Sequence, residues 1–188
     1  MFKRFTALLL CGAFLSTAVL ADEDTGLHDD AWYERAWNTV ATAYHKGTPE
    51  LYVPLKTYHL RSAYSQEKID SFNESPYGLG YGHGYYDERD NWHGVYAMGF
   101  QDSHSKPEWM LGYSWKAMWG DRKGWQTGLG YTAFLTARSD IANYFPFPGI
   151  LPIASISYKR LSLEGTFVPG GSNNGNVFFF WGKWSFDQ

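Results

Sequence analysis

Two short stretches carry the side chains best able to do chemistry. "AMGFQDSHSKPEW" (97–109) sets a carboxylate and a hydroxyl, Asp102 and Ser103, at the end of an apolar segment. "KTYHLRSAY" (56–64) sets His59 in another strand-like segment. An imidazole titrates near neutral pH and can move protons. A serine hydroxyl serves either as a nucleophile beside a positioned base or as a donor to a developing oxyanion. A carboxylate can orient the imidazole and favour its charged form. The three could form part of an active site. Each member also has a plain structural reading. Ser next to Asp is a frequent turn pair, and a histidine in a strand can be a buried donor. Neighbours on an extended strand point to opposite faces. Asp102 and Ser103 therefore both reach His59 only where the strand breaks.

Other chemistries find little support. The six histidines include His83 and His93, ten apart, but no compact ligand set, so no metal is expected. No GxSxG elbow occurs, which leaves an α/β-hydrolase unsupported. "PGGSNNGN" (169–176) fits neither phosphate-loop pattern and reads as a turn. No cofactor is implied.

The elements that must position these residues read as a membrane barrel. Residues 1–21 look like a secretory signal: Lys3 and Arg4, an apolar run from Phe5 to about Phe14, then Val19-Leu20-Ala21 before Asp22. Cys11, the one cysteine, lies within that run, so the mature chain uses neither disulfides nor thiolates. Without Lys3 and Arg4, 14 basic side chains face 19 acidic ones, a formal charge of −5. That balance argues against nucleic acid as a partner. Later apolar stretches fall short of the roughly 20 residues of a spanning helix. Yet there are 9 Trp, 14 Tyr and 13 Phe, more than a soluble surface needs and suited to the lipid face and girdles of a transmembrane β-barrel.

Within an N-terminal segment 22–50, Trp32, Tyr33, Ala36, Trp37, Val40 and Tyr44 recur at helical spacing. Asp29 or Asp30 would cap this amphipathic helix, and Gly47 with Pro49 would stop it. The barrel is expected over 51–188. Eight strands are expected near 51–64, 77–86, 91–101, 108–119, 124–138, 150–158, 161–168 and 176–186. The fifth alternates Trp125, Leu129, Tyr131, Ala133 and Leu135 against Gln126, Thr132, Thr136 and Arg138, the period of two that a barrel wall needs. Short connectors (87–90, 120–123, 159–160) alternate with longer ones (65–76, 102–107, 139–149, 169–175), as periplasmic turns alternate with outer loops. An even strand number leaves both ends in the periplasm and carries His59, Asp102 and Ser103 toward the outer rim. Small residues at 78, 80, 82, 84, 94, 97 and 99 suggest a partly open, apolar interior. Pro54, Pro76, Pro152 and Pro169 mark weak points in strand pairing, because proline donates no ladder hydrogen bond.

Taken together, "LYVPLKTYHLRSAY", "DERDNWHGVYAMGFQDS", "LGYTAFLTAR" and "VPGGSNNGN" resemble the outer-membrane lipid A palmitoyltransferases of Gram-negative bacteria, the PagP family. The resemblance runs from about Trp32 to Phe186. It implies an eight-stranded antiparallel transmembrane β-barrel with an N-terminal amphipathic helix, membrane-embedded and monomeric. It also implies transfer of a palmitoyl chain from the sn-1 position of a phospholipid to a hydroxyacyl chain of lipid A. By the same resemblance His59, Asp102 and Ser103 are catalytic, and the paired prolines Pro54/Pro76 and Pro152/Pro169 flank two lateral openings. Asp87 and Arg138 are structural. One departure stands out: the family archetype has "GYGW" at the floor of the acyl pocket, and here "GYSW" puts Ser114 there. A side chain on that floor predicts a donor chain shorter than sixteen carbons. The outer turn also departs, with Ser172 where the archetype has an aromatic. The alternatives are an outer-membrane phospholipase or lipase, with water as acceptor, and a non-enzymatic structural barrel with a filled interior.

Overall fold

A computed structural model describes residues 31–172 and 174–187. The signal segment and the two aspartates read as helix caps lie outside the described residues. Helix α1 spans Trp32–Lys46 and leaves Trp32, Tyr33, Trp37 and Tyr44 exposed while burying Ala43. It ends at Gly47, whose extended backbone leads directly into the first strand. A Cβ at Gly47 would collide with the Ala43 carbonyl and crowd the Gly84 backbone, so the close approach of helix to sheet requires glycine. Nδ1 of His83 lies 2.6 Å from the Tyr44 carbonyl oxygen, which ties the helix to the barrel wall.

Eight strands follow: β1 Thr48–His59, β2 Gly78–Tyr86, β3 Trp92–Gln101, β4 Pro107–Gly120, β5 Trp125–Arg138, β6 Phe147–Tyr158, β7 Leu161–Val168 and β8 Val177–Ser185. They pair antiparallel in sequence order, and β1 closes on β8 from Glu50↔Ser185 to His59↔Val177. The result is a closed barrel. The first strand begins and ends earlier than its sequence suggested, because the chain turns at Arg61–Ala63. A short helix α2, Gln66–Asp70, interrupts the loop that follows. The sixth strand begins earlier, at Phe147, despite Pro148.

Alternation sorts the walls. Leu79, Tyr81, Trp109, Leu111, Trp119 and Leu129 are among the exposed outer residues, as a lipid-facing surface requires. The inward residues form layers. At the short-turn end Lys183 Nζ lies 2.8 Å from Glu50 and 3.4 Å from Glu164, and Lys116 pairs with Glu164. Lys116 and Lys183 both lie against the Trp92 ring, with Nζ atoms 4.1 and 3.6 Å from a ring centroid. Above this charged layer sits an apolar cluster of Tyr52, Tyr96, Met98, Phe100, Ile153, Phe179 and Trp181.

That cluster revises the expected open interior. A Cβ at Gly80 would run into the Met98 side chain, and one at Gly84 would lie 2.7 Å from the Trp92 indole nitrogen. The inward glycines of β2 thus give room to the large side chains of β3. Gly99 and Ala97 are not inward at all. A Cβ at Gly99 would meet the exposed Trp109 ring, and Ala97 is itself exposed.

Two seams are incomplete. β1 pairs with β2 only up to Tyr52↔Gly80, and β6 pairs with β7 only up to Ile153↔Thr166. Pro54 lies on β1 just beyond the first ladder, and a register shift against β8 follows between Pro54 and Lys56. Pro152 adjoins the end of the second, where its carbonyl accepts a 2.6 Å bond from the Thr166 hydroxyl. Pro76 and Pro169 fall in the adjoining loops at the same end of the barrel.

Candidate active site

His59 is the last residue of β1, and its side chain is buried at the long-loop end. Closure of β1 on β8 fixes its height in the wall. The loop between β1 and β2 folds over it. Phe72 stacks on the imidazole at 4.0 Å between centroids with 16° between planes, and Tyr64 meets it edge-on at 5.4 Å. Tyr64 in turn hydrogen-bonds the Gly175 carbonyl, which joins this loop to the β7–β8 turn. Glu74 completes the setting. Its Oε1 lies 3.2 Å from His59 Nδ1 and accepts the His59 backbone N–H at 3.1 Å. Arg61 grips the same carboxylate with bonds of 2.8 and 2.7 Å. Burial acts to raise the Glu74 pKa, but the bonds from Arg61 and His59 outweigh it and hold the carboxyl at about 2.

Asp102 and Ser103 lie in the turn between β3 and β4, where the third strand breaks. The Asp102 carboxylate is buried, and its Oδ1 accepts the amides of His104 and Lys106 at 2.8 Å each. Oδ2 is buried with no hydrogen-bond partner, and Arg138 stands 3.9 Å away. Arg138 also lies 3.6 Å from Glu108 and chelates Asp140 at 3.0 and 3.1 Å. The Ser103 carbonyl accepts the Asn73 amide at 2.8 Å, so the turn and the first loop are stitched together.

His59, Asp102 and Ser103 line one cavity of about 310 Å³ at the long-loop end, with Phe100, Met110 and Phe179 deeper in it. Its depth ends at the apolar cluster. Ser114 lies beyond, two inward positions below Met110 on β4, and is fully buried. It pairs across the sheet with Gly94 and Thr132. The Tyr96 hydroxyl sits 2.7 Å from Thr132 Oγ1, and a Cβ at Gly112 would lie 2.5 Å from that hydroxyl. The Tyr96 ring therefore roofs the Ser114 level.

Asp87 works at the other end. It accepts the amides of Arg89 and Asn91 at 2.9 and 2.8 Å and lies 3.1 Å from His93 Nε2. Burial acts to raise its pKa, and the bonds from Asn91 and His93 pull it down to about 2. Its place is in the β2–β3 turn, away from the cavity.

The partner of His59 was not legible in the sequence. The carboxylate expected to orient the ring was Asp102, and the one that touches it is Glu74. Only the fold of an eighteen-residue loop brings Glu74 back 15 positions along the chain. The nearest local signal is the acid in "NESP", ahead of the strand-limiting Pro76.

A family model described as "Antimicrobial peptide resistance and lipid A acylation protein PagP" matches residues 39–183. The chain belongs to the PagP family. The family resemblance read from the sequence is borne out over most of the barrel. A protein named lipid A acyltransferase PagP from Methylobacillus flagellatus is 47% identical over 167 residues, covering 89% of this chain and 91% of its own. The protein of the same name from Yersinia enterocolitica is 43% identical and covers 90% of each chain. That from Sodalis glossinidius is 41% identical and covers 98% of each. The matched PagP region contains all three of His59, Asp102 and Ser103.

Proposed function

We propose that this protein is an outer-membrane acyltransferase. It moves a palmitoyl, or slightly shorter, chain from the sn-1 position of a phospholipid to the hydroxyl of a hydroxyacyl chain on lipid A. The observation that carries this reading is the convergence of His59, Asp102 and Ser103 on one cavity in a PagP-family barrel. The cavity faces the outer leaflet, where donor and acceptor meet. The incomplete β1–β2 and β6–β7 seams beside it are the routes by which lipids enter from the side. Pro54 and Pro152 keep ladder donors out of those seams, and Pro76 and Pro169 begin or end the loops above them.

In the reaction His59 takes the proton of the acceptor hydroxyl as its oxygen attacks the sn-1 ester carbonyl. Ser103 donates to the oxyanion that forms. The carbonyl then expels the glycerol oxygen, and His59 returns the proton to it. One ester is exchanged for another, leaving acylated lipid A and a lysophospholipid, with no net redox change and no energy source. Asp102 fixes the turn that carries Ser103 and sets a negative charge where an imidazolium develops. The acyl tail descends past Met98 and Met110, whose flexible thioethers can yield to it, and stops at the Tyr96–Ser114 level.

The test is mass spectrometry of lipid A after incubation with detergent-folded protein and a phospholipid of defined sn-1 chain. The expected product is lipid A heavier by one acyl group. His59→Ala should lower its rate by about a hundredfold or more, and Ser103→Ala by on the order of a hundredfold. Release of free fatty acid with lipid A unchanged would make the protein a lipase and overturn the proposal.

A further inference from the structure

We propose that Glu74 is the positioning residue for His59: its carboxylate holds the ring by Nδ1 and leaves Nε2 as the nitrogen that moves the proton. The inference rests on the acyl-transfer reading of this cavity and adds a residue that reading does not require.

The geometry is that of a histidine fixed from every side. Glu74 Oε1 reaches both the backbone N–H and Nδ1 of His59, at 3.1 and 3.2 Å. A carboxylate can accept from Nδ1 only when Nδ1 carries a proton, so this contact selects the tautomer. Phe72 then fixes the ring plane. Arg61 holds the carboxylate in a two-bond grip, and Lys56 lies 3.6 Å from it. Asp102 makes no such contact: its Oδ1 serves two turn amides, and no hydrogen bond joins its buried Oδ2 to His59. During transfer Nε2 binds the acceptor's proton while the Nδ1 proton stays in place. The resulting imidazolium faces a carboxylate, and the later loss of the proton from Nε2 restores the starting state.

Glu74 has a second attachment. Its backbone carbonyl accepts the Thr57 amide at 3.0 Å, on the stretch of β1 that β2 leaves unpaired. The residue that orients the ring is thus pinned to the edge of the first seam. The charged and titratable groups around His59 are Glu74, Arg61, Lys56 and Tyr64, with His104 packed edge-on to the far ring, Phe72, at 5.6 Å. Lys68 and Asp102 share the cavity. Loss of the Glu74 charge would leave Arg61 and Lys56 as uncompensated cations beside the imidazole.

Glu74→Gln and Glu74→Ala separate orientation from charge. Gln keeps an acceptor for Nδ1–H but removes the charge, whereas Ala removes both. Folding of each variant is read from its heat-modifiable gel migration. His59 is followed by ¹⁵N-imidazole NMR, assigned with His59→Asn, and kcat and KM for lipid A acylation are measured from about pH 5 to 9. In Glu74→Gln the His59 titration and the acid limb of kcat/KM should both move to lower pH by about one unit. In Glu74→Ala the Nδ1–H preference should disappear and kcat fall about ten- to hundredfold with KM little changed. A His59 titration in Glu74→Gln that coincides with wild type would overturn the proposal and leave Glu74 a loop brace. The NMR readout needs no substrate. A folded wild type inert toward lipid A would therefore refute the enzyme reading, while the His59 signals would still report on Glu74.

Discussion

At the residue scale, the proposed ruler for the donor chain is one inward position, Ser114. Burying a further methylene is worth only about 0.8 kcal/mol, roughly a factor of four in preference. Sharp selection therefore needs a hard stop. Ser114 lies at that level, under a Tyr96 ring whose hydroxyl is held by Thr132 Oγ1. Ser114→Gly should lengthen the preferred donor chain by about one or two methylenes. A series of phospholipids differing by single carbons at sn-1 would show it, and an unmoved optimum would detach Ser114 from the ruler. Thr132→Val keeps the shape but leaves the Tyr96 hydroxyl without its closest partner, at a cost of about 1–3 kcal/mol read from denaturant unfolding in detergent. Types and places of His59, Asp102, Ser103 and Ser114 could be quoted from the sequence, mostly through family resemblance. Their neighbours could not. Glu74 meets His59 only because a long loop returns, and a loop's path is not written in hydrophobic period.

At the element scale, charge is one of the things that hold that loop. Glu74 has an ordinary value of 4.5 and is held at about 2 in the folded protein. A depressed carboxyl stabilises the fold above its unfolded pKa and loses that contribution as pH falls through the folded one. The Glu74 clamp should therefore be fully present above about pH 4.5 and fail progressively toward pH 2. The His59 amide proton, bonded to the carboxylate, reports this directly: its NMR shift should hold at mildly acidic pH and move as pH approaches 2. Arg61→Ala should raise that midpoint, because the two-bond grip is lost. The strands were easier to read than the loop. Alternation in 125–138 gave β5 directly, since one face meets lipid and the other the interior. The bounds of β1 and β6 were harder, because Pro49, Pro54, Pro148 and Pro152 look like breaks. Each sits where a barrel strand tolerates a missing donor, at a strand start or along an incomplete seam. The glycines of β2 were misread as empty space because a sequence does not say which neighbour fills the room a glycine leaves.

At the scale of the whole molecule, the barrel is divided along its axis. The short-turn end holds a cavity of about 390 Å³ lined by Lys46, Glu50, Arg122, Lys183 and others, bounded by the buried layer of Glu50, Lys116, Glu164 and Lys183. Above it Tyr52 spans the change of medium. Its hydroxyl donates to Glu50 Oε2 at 2.8 Å, and its ring packs at 5.6 Å from Tyr96 in the apolar cluster. The ester exchange proposed for the far end would gain from such a partition, because water reaching the acyl chain would divert the reaction to hydrolysis. The charged layer is an exacting way to build it. Glu164 serves two lysines, so Glu164→Leu leaves Lys116 buried without its carboxylate while Lys183 keeps Glu50. Stranding one buried charge costs about 3–5 kcal/mol. Replacing both members, as in Lys116→Met with Glu164→Leu, should fall between no change and a gain of about 1–4 kcal/mol. Guanidinium unfolding of the three proteins in one detergent measures both differences. A single variant as stable as wild type would mean that water already reaches Lys116, and the layer would then be a wet vestibule with the water barrier resting on the Tyr52–Tyr96 pair alone.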